Sequence, residues 1–166
     1  MKKWYQKTSN LLFIVLFSYA LVLKIPVLKN NFSQEGQSLD SRVVQVIAQN
    51  PQSTLFPPAH GRAIAFFWAS WCGPCKIEMN RLKRSVASGA IPKEAIFAIN
   101  PFESSLQIKK FMAENNYPFT FIENSGLAKT LSITVTPTTL FIDKGLISEM
   151  SSGISLWGIW KAEAFL

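Results

Sequence analysis

Two cysteines stand in the chain, and they stand together as Trp71-Cys72-Gly73-Pro74-Cys75. At this spacing two thiols can close into a disulfide or stand as a dithiol, so the pair can take up and return two electrons. The apolar run over residues 63–69 ahead of the motif, and the amphipathic stretch behind it, place Cys72 where a strand ends and a helix begins. A thiolate there lies at the positive end of the helix dipole, beside unpaired backbone N–H groups, and its pKa falls below the free value of about 8.5. Cys72 is therefore the expected nucleophile. Cys75, one turn on and facing inward, is the residue expected to resolve a mixed disulfide. Pro74 suits the first helical turn, Gly73 lets a partner's backbone come close, and Trp71 shapes the surface beside the nucleophile.

Other chemistries of two cysteines are less well served. A structural disulfide usually closes a long loop, and a ring this small removes little unfolded-state entropy. Structural zinc needs four ligands, and the two cysteines with the single histidine, His60, make three. No metal and no cofactor is expected for the redox reading. Copper(I) accepts two soft thiolates, so a metallochaperone-like binding protein stays open as an alternative, as does a non-catalytic docking module of a membrane assembly.

The elements that must position this pair fit one domain of 166 residues, and a chain 48% hydrophobic and 16% charged will fold. The net charge of +7 is concentrated at the start: Lys2, Lys3, Lys7, Lys24 and Lys29 precede every acid, and beyond them twelve basic residues face ten acidic ones. That balance excludes a nucleic-acid-binding face. Residues 1–29 read as a signal-anchor or signal peptide. Residues 11–23 carry no charge, Ile25 to Leu28 extends the apolar length past Lys24, and Trp4 and Tyr5 suit a headgroup interface. The balance favours an uncleaved anchor in the cytoplasmic membrane with the domain outside the cytoplasm. Cleavage near Ser18-Tyr19-Ala20, releasing a soluble domain, is the alternative. Residues 30–37 are polar and read as a linker, and the domain spans 38–166.

Within the domain, Leu39, Val43, Val46 and Ile47 fall at helical spacing and Pro51 would stop that helix. Residues 63–69 form a strand buried on both faces. Cys75, Met79, Leu82 and Val86 then line one face of a helix that ends at Gly89, with Glu78 on its charged face. Residues 95–99 make a second buried strand, Ser104 and Gln107 a capping box, residues 138–150 a hairpin turning at Asp143-Lys144-Gly145, and Trp157, Trp160 and Phe165 mark a last helix. The expected class is α/β, a small mixed sheet covered by helices on both faces.

The order strand, Cys-x-x-Cys, helix, with Phe67-Trp68-Ala69-Ser70-Trp71-Cys72-Gly73-Pro74-Cys75-Lys76, resembles the thioredoxin superfamily. Glu78-Met79, Ile133-Thr134-Val135-Thr136-Pro137-Thr138-Thr139 and Phe141-Ile142-Asp143-Lys144-Gly145 extend the resemblance to the TlpA/ResA type of membrane-anchored, extracytoplasmic thiol-disulfide oxidoreductase, over roughly residues 61–153. The resemblance implies a thioredoxin-like fold, a cis Pro137 lying against the two sulfurs, and a Thr136 backbone that pairs with an extended substrate segment. It also implies partners: exported protein thiols and disulfides, and a membrane electron donor that recharges a reductase. The Gly-Pro pair between the cysteines resembles reducing thioredoxins. Two departures stand out. Phe66 sits where thioredoxins carry a buried aspartate, leaving Cys75 without its usual proton acceptor, and Glu78 is expected to be solvated. Residues 30–60 do not show the family's opening hairpin.

Overall fold

The protein is described by a computed structural model covering residues 2–48, 50, 52–155 and 157–166, with side chains from residue 9 onward. Pro51, and the side chains of Trp4, Tyr5 and the first three lysines, lie outside the described residues. A helix α1 (Lys2–Gln34) precedes strands β1 (Arg42–Val46), β2 (Gln52–Phe56) and β3 (Arg62–Phe67), helix α2 (Gly73–Ala87) and β4 (Ile96–Ile99). Helix α3 (Ser105–Glu114), β5 (Thr120–Ile122), α4 (Leu127–Thr130), β6 (Thr138–Asp143), β7 (Leu146–Ser152) and α5 (Gly158–Phe165) complete the chain.

The strands form one seven-stranded sheet in the order β2-β1-β5-β4-β3-β6-β7. β3, β4 and β5 run parallel, and β6 returns antiparallel beside β3 with Phe67 opposite Thr138. The five apolar residues 63–67 are each 1% exposed or less, as a strand buried on both faces requires. Alternation splits them: Ile64 and Phe66 join a core with Cys75, Met79, Leu82, Ile108, Phe111 and Ala162, under α2, α3 and α5, while Ala63, Ala65 and Phe67 join Leu127, Leu140 and Ile147 on the other side. The mixed sheet expected from the sequence is the one observed. Trp68 is fully buried, its ring 4.6 Å from Phe111 and 5.5 Å from Phe121.

Three expectations are corrected. Residues 39–47 are not helical: β1 and β2 pair antiparallel as an opening hairpin, Arg42 opposite Phe56 and Val46 opposite Gln52. The β-branched cluster Val43, Val44 and Val46 prefers a pleated surface, and Val43, counted on the helix's apolar face, is 70% exposed while Val44 points into the core. The hairpin thought missing is therefore present. Residues 30–37 do not form a loose tether, because α1 continues to Gln34 and Asn31 and Gln34 are buried. The third correction, Glu78, belongs to the site. β5 was legible as the short apolar run Phe119 to Ile122 behind Pro118, a signal the sequence reading passed over.

The helix is long and apolar enough over residues 9–34 to cross a membrane, and its most apolar window of 18 residues has a mean hydropathy of 2.5 with none of it buried against the domain. Eighteen helical residues at 1.5 Å rise reach about 27 Å, close to a hydrocarbon core of about 30 Å, before the last turn docks on the domain.

Candidate functional site

Interior strand β3 delivers the chain to the C-terminal end of the parallel strands, and Trp68 to Trp71 carry it into α2, whose N-cap is Cys72. Cys72 Sγ accepts from Cys75 N at 3.1 Å, so the sulfur takes the place of a capping oxygen and faces the helix's free N–H groups. Pro74 lies in the first turn, as expected. The two cysteines are disulfide-bonded, with S–S at 2.05 Å. Cys72 retains 5% of its surface and Cys75 none, so an incoming sulfur can reach only Cys72.

Thr136–Pro137 is a cis peptide bond, as the resemblance implied. Because Thr138 stands opposite Phe67, Pro137 lies beside the end of β3 from which the cysteine loop departs. Pro137 is buried and Thr136 half-buried. Gly153 N donates to Pro137 O at 2.7 Å. Trp71 is 68% exposed and pairs with Phe102, 48% exposed, at 5.9 Å between ring centroids, which makes an apolar rim beside Cys72. His60 is exposed and stands in the loop before β3.

Glu78 overturns its expected place. The residue is 8% exposed, and it lines a cavity with Phe66, Leu82, Thr139, Phe141 and Ala162. Its Oε1 accepts from Arg81 Nη1 at 3.0 Å, and the same guanidinium nitrogen donates to Ser155 O at 2.8 Å. Packing of α5 and the segment before it over α2 closes this side of the helix, which helical periodicity alone reads as solvated. A carboxylate thus shares the space next to Phe66, one turn beyond Cys75 on the same face.

A further carboxylate, which no sequence motif marks, fixes the cysteine loop. Glu103 accepts from Ser70 N at 2.7 Å, from the Ser70 hydroxyl and from the Asn100 amide. Asn100 Oδ1 in turn accepts from Phe102 N and Glu103 N. The signal for it lay in topology: β3 and β4 are parallel neighbours, so the loops after them share one edge of the sheet. Burial pushes the Glu103 pKa up, but the hydrogen bonds from Ser70 and Asn100 and the charge of Lys76 outweigh it and hold the carboxyl below its ordinary value. Because the folded-state pKa is depressed, Glu103 stabilises the fold above the unfolded value near pH 4.5 and loses that contribution as pH falls through the folded one. Glu103→Gln is expected to destabilise by about 1 kcal/mol at neutral pH, with the gap from the parent narrowing on acidification. Denaturant midpoints measured from pH 7 to pH 3 check this.

Comparison with known proteins agrees with this geometry. The AhpC/TSA family matches residues 52–150. A thioredoxin-like protein of Haemophilus influenzae is 26% identical over 102 residues, 58% of each chain. A thiol:disulfide interchange protein DsbE of Pseudomonas fluorescens is 29% identical over 105 residues, 61% of this chain and 57% of its own length. The chain thus spans under two thirds of both relatives. The crystal structure of StoA from Bacillus subtilis superimposes with a TM-score of 0.62 at 21% identity, over 75% of this chain and 96% of that one. A disulfide-forming pair at a helix N-terminus and a cis-proline beside it, set in this sheet order, give the protein a thioredoxin-superfamily fold, and the chain belongs to the AhpC/TSA family.

Proposed function

We propose that the protein is a thiol-disulfide oxidoreductase that exchanges the Cys72/Cys75 pair with disulfides of exported proteins, acting as a reductase. The observation that carries this is the asymmetry of the pair: one sulfur at the surface on a helix N-cap, the other fully buried behind it. The Cys72 thiolate attacks a substrate disulfide and one substrate sulfur leaves. Cys75, deprotonated, then attacks Cys72 Sγ and releases the second substrate thiol, leaving the pair oxidised and the substrate reduced by two electrons. Trp71, Gly73 and Pro74 frame the attack, and the backbone of Thr136, ahead of Pro137, pairs with the substrate strand. Glu78 is the group that accepts the Cys75 proton, in place of the acid that Phe66 replaces.

Helix α1 holds the chain in the cytoplasmic membrane as a single pass, with the domain on the extracytoplasmic side. Docking of its last turn on the domain supports an uncleaved anchor. Recharging then falls to a membrane electron donor.

The test is the redox equilibrium of the full chain in nanodiscs with a glutathione series, scored by thiol labelling. A reversible two-electron couple near thioredoxin's value of about −270 mV is expected. A couple near about −120 mV would reverse the direction of transfer, and no reversible couple would sink the enzymatic reading.

A further inference from the structure

The last turn of α1 leaves the apolar stretch and lies against the chain that leads into Pro137. Asn30 Nδ2 donates to Leu131 O at 3.1 Å and to Ser132 O at 3.2 Å. Ser132 has φ +51°, in the left-handed region that a residue with a Cβ adopts at a cost, so its carbonyl is fixed where the backbone most needs support. Asn31, one residue on, is 6% exposed, and its Oδ1 accepts from Ser152 Oγ at 3.0 Å. Ser152 Oγ lies 3.0 Å from Thr138 Oγ1, and Thr138 Oγ1 donates to Val135 O at 2.8 Å. Two hydroxyl protons serve these three contacts, and an Asn31 amide turned to donate to Ser152 satisfies all three at once.

The segment 131–138 is therefore gripped at both ends by one helix turn, directly through Asn30 and through Ser152 from Asn31. Between the two grips lies Thr136. Among the described residues, neither its backbone N–H nor its carbonyl has an intramolecular hydrogen-bond partner. Such a free pair of groups on a half-buried residue is what an extended chain needs in order to add itself as a strand.

We propose that Asn30 and Asn31 are positioning residues for substrate: the end of the membrane-type helix holds residues 131–138 so that the Thr136 backbone meets an extended polypeptide beside the Cys72 sulfur. The inference rests on the oxidoreductase reading above. It assigns the helix end a part in the reaction besides attachment. Its effect is confined to substrates with peptide groups beside the disulfide, because attack by Cys72 on a small disulfide without them makes no use of that loop. Misplacing a reacting partner by an ångström can cost about a hundredfold, so two amides remote from the sulfurs can matter.

The experiment uses the full chain in nanodiscs, reduced beforehand, in single turnovers with two oxidised substrates: hydroxyethyl disulfide, which has no peptide groups, and an extended peptide carrying an intermolecular disulfide. Asn30→Ala and Asn31→Ala are each expected to raise the half-saturating peptide concentration about tenfold, the size that one or two lost hydrogen bonds carry, and to leave reduction of hydroxyethyl disulfide unchanged. Ser152→Ala, which deletes one oxygen and leaves α1 intact, is expected to reproduce the Asn31→Ala result, and melting curves identify any variant that loses its fold. An unchanged ratio of peptide to hydroxyethyl disulfide reduction in folded variants, or an equal fall with both, overturns the proposal. Failure of the parent chain on both substrates overturns the oxidoreductase reading instead.

Discussion

Cys75→Ser is expected to leave the protein covalently attached to its substrates, and Cys72→Ser to reduce disulfide exchange to the uncatalysed background. The asymmetry follows from burial and position. Cys72 retains the accessible 5% of its surface and caps α2, so its thiolate forms and attacks whether or not Cys75 is present. Cys75 has no exposed surface, so no external disulfide reaches it when Cys72 is gone. With Ser at position 75 the mixed disulfide on Cys72 lacks the neighbouring sulfur whose effective concentration ordinarily displaces the substrate. Single-turnover attack should proceed at the parent's rate while product release stops, and the trapped adducts identify the substrates by mass. Equal activity of the two variants would overturn the assignment of roles. A copper(I) carrier would show neither pattern, since both thiolates would serve alike as ligands.

What the sequence disclosed and what it withheld divide along the separation in the chain of the residues that interact. Strand β3, the cysteine loop and α2 were legible because an apolar run, a proline in a first turn and an amphipathic repeat are all local. Ser104 and Gln107 likewise bond each other across three residues, and their capping box forms as read. The turn at Lys144 and Gly145, both at positive φ, announced the β6–β7 hairpin. The opening hairpin was lost because Leu39, Val43, Val46 and Ile47 satisfy a helical period by coincidence, whereas the strand's partners are β2 and β5. Asn30 and Asn31 looked like linker residues because polar side chains near a hydrophobic run have no periodic signature. Their partners lie 101 and 121 positions away. Of the site, the cysteines and Pro137 were legible, while Glu78 and Glu103 depend on which loops and helices fold over them.

The second large effect is expected at Glu78. Its carboxylate is held in the cavity beside Phe66, one helical turn from Cys75, which is fully buried and in the proposed resolving role has to lose a proton. A thiol with an ordinary pKa is only a few per cent ionised at neutral pH, and burial lowers that fraction further, so the resolving step depends on a base. Glu78→Gln keeps the shape of the side chain and an acceptor for Arg81, and removes the charge. Resolution is then expected to slow about a hundredfold at pH 7, with the first attack by Cys72 unchanged, so the mixed disulfide accumulates during turnover. The sign with pH is fixed by the same argument: raising pH ionises Cys75 without help, so the variant's resolving rate climbs toward the parent's as the thiol's own pKa is approached. Stopped-flow measurement of both phases from pH 6 to pH 10 reads the two effects separately. Phe66→Asp in the Glu78→Gln background places a carboxylate in the same cavity from β3 and should restore part of the lost rate, at a cost in stability from the charge brought into the core. Parent-like resolution in Glu78→Gln at pH 7 would remove the carboxylate from the reaction and leave its ion pair with Arg81 a purely structural clasp between α2 and the chain before α5.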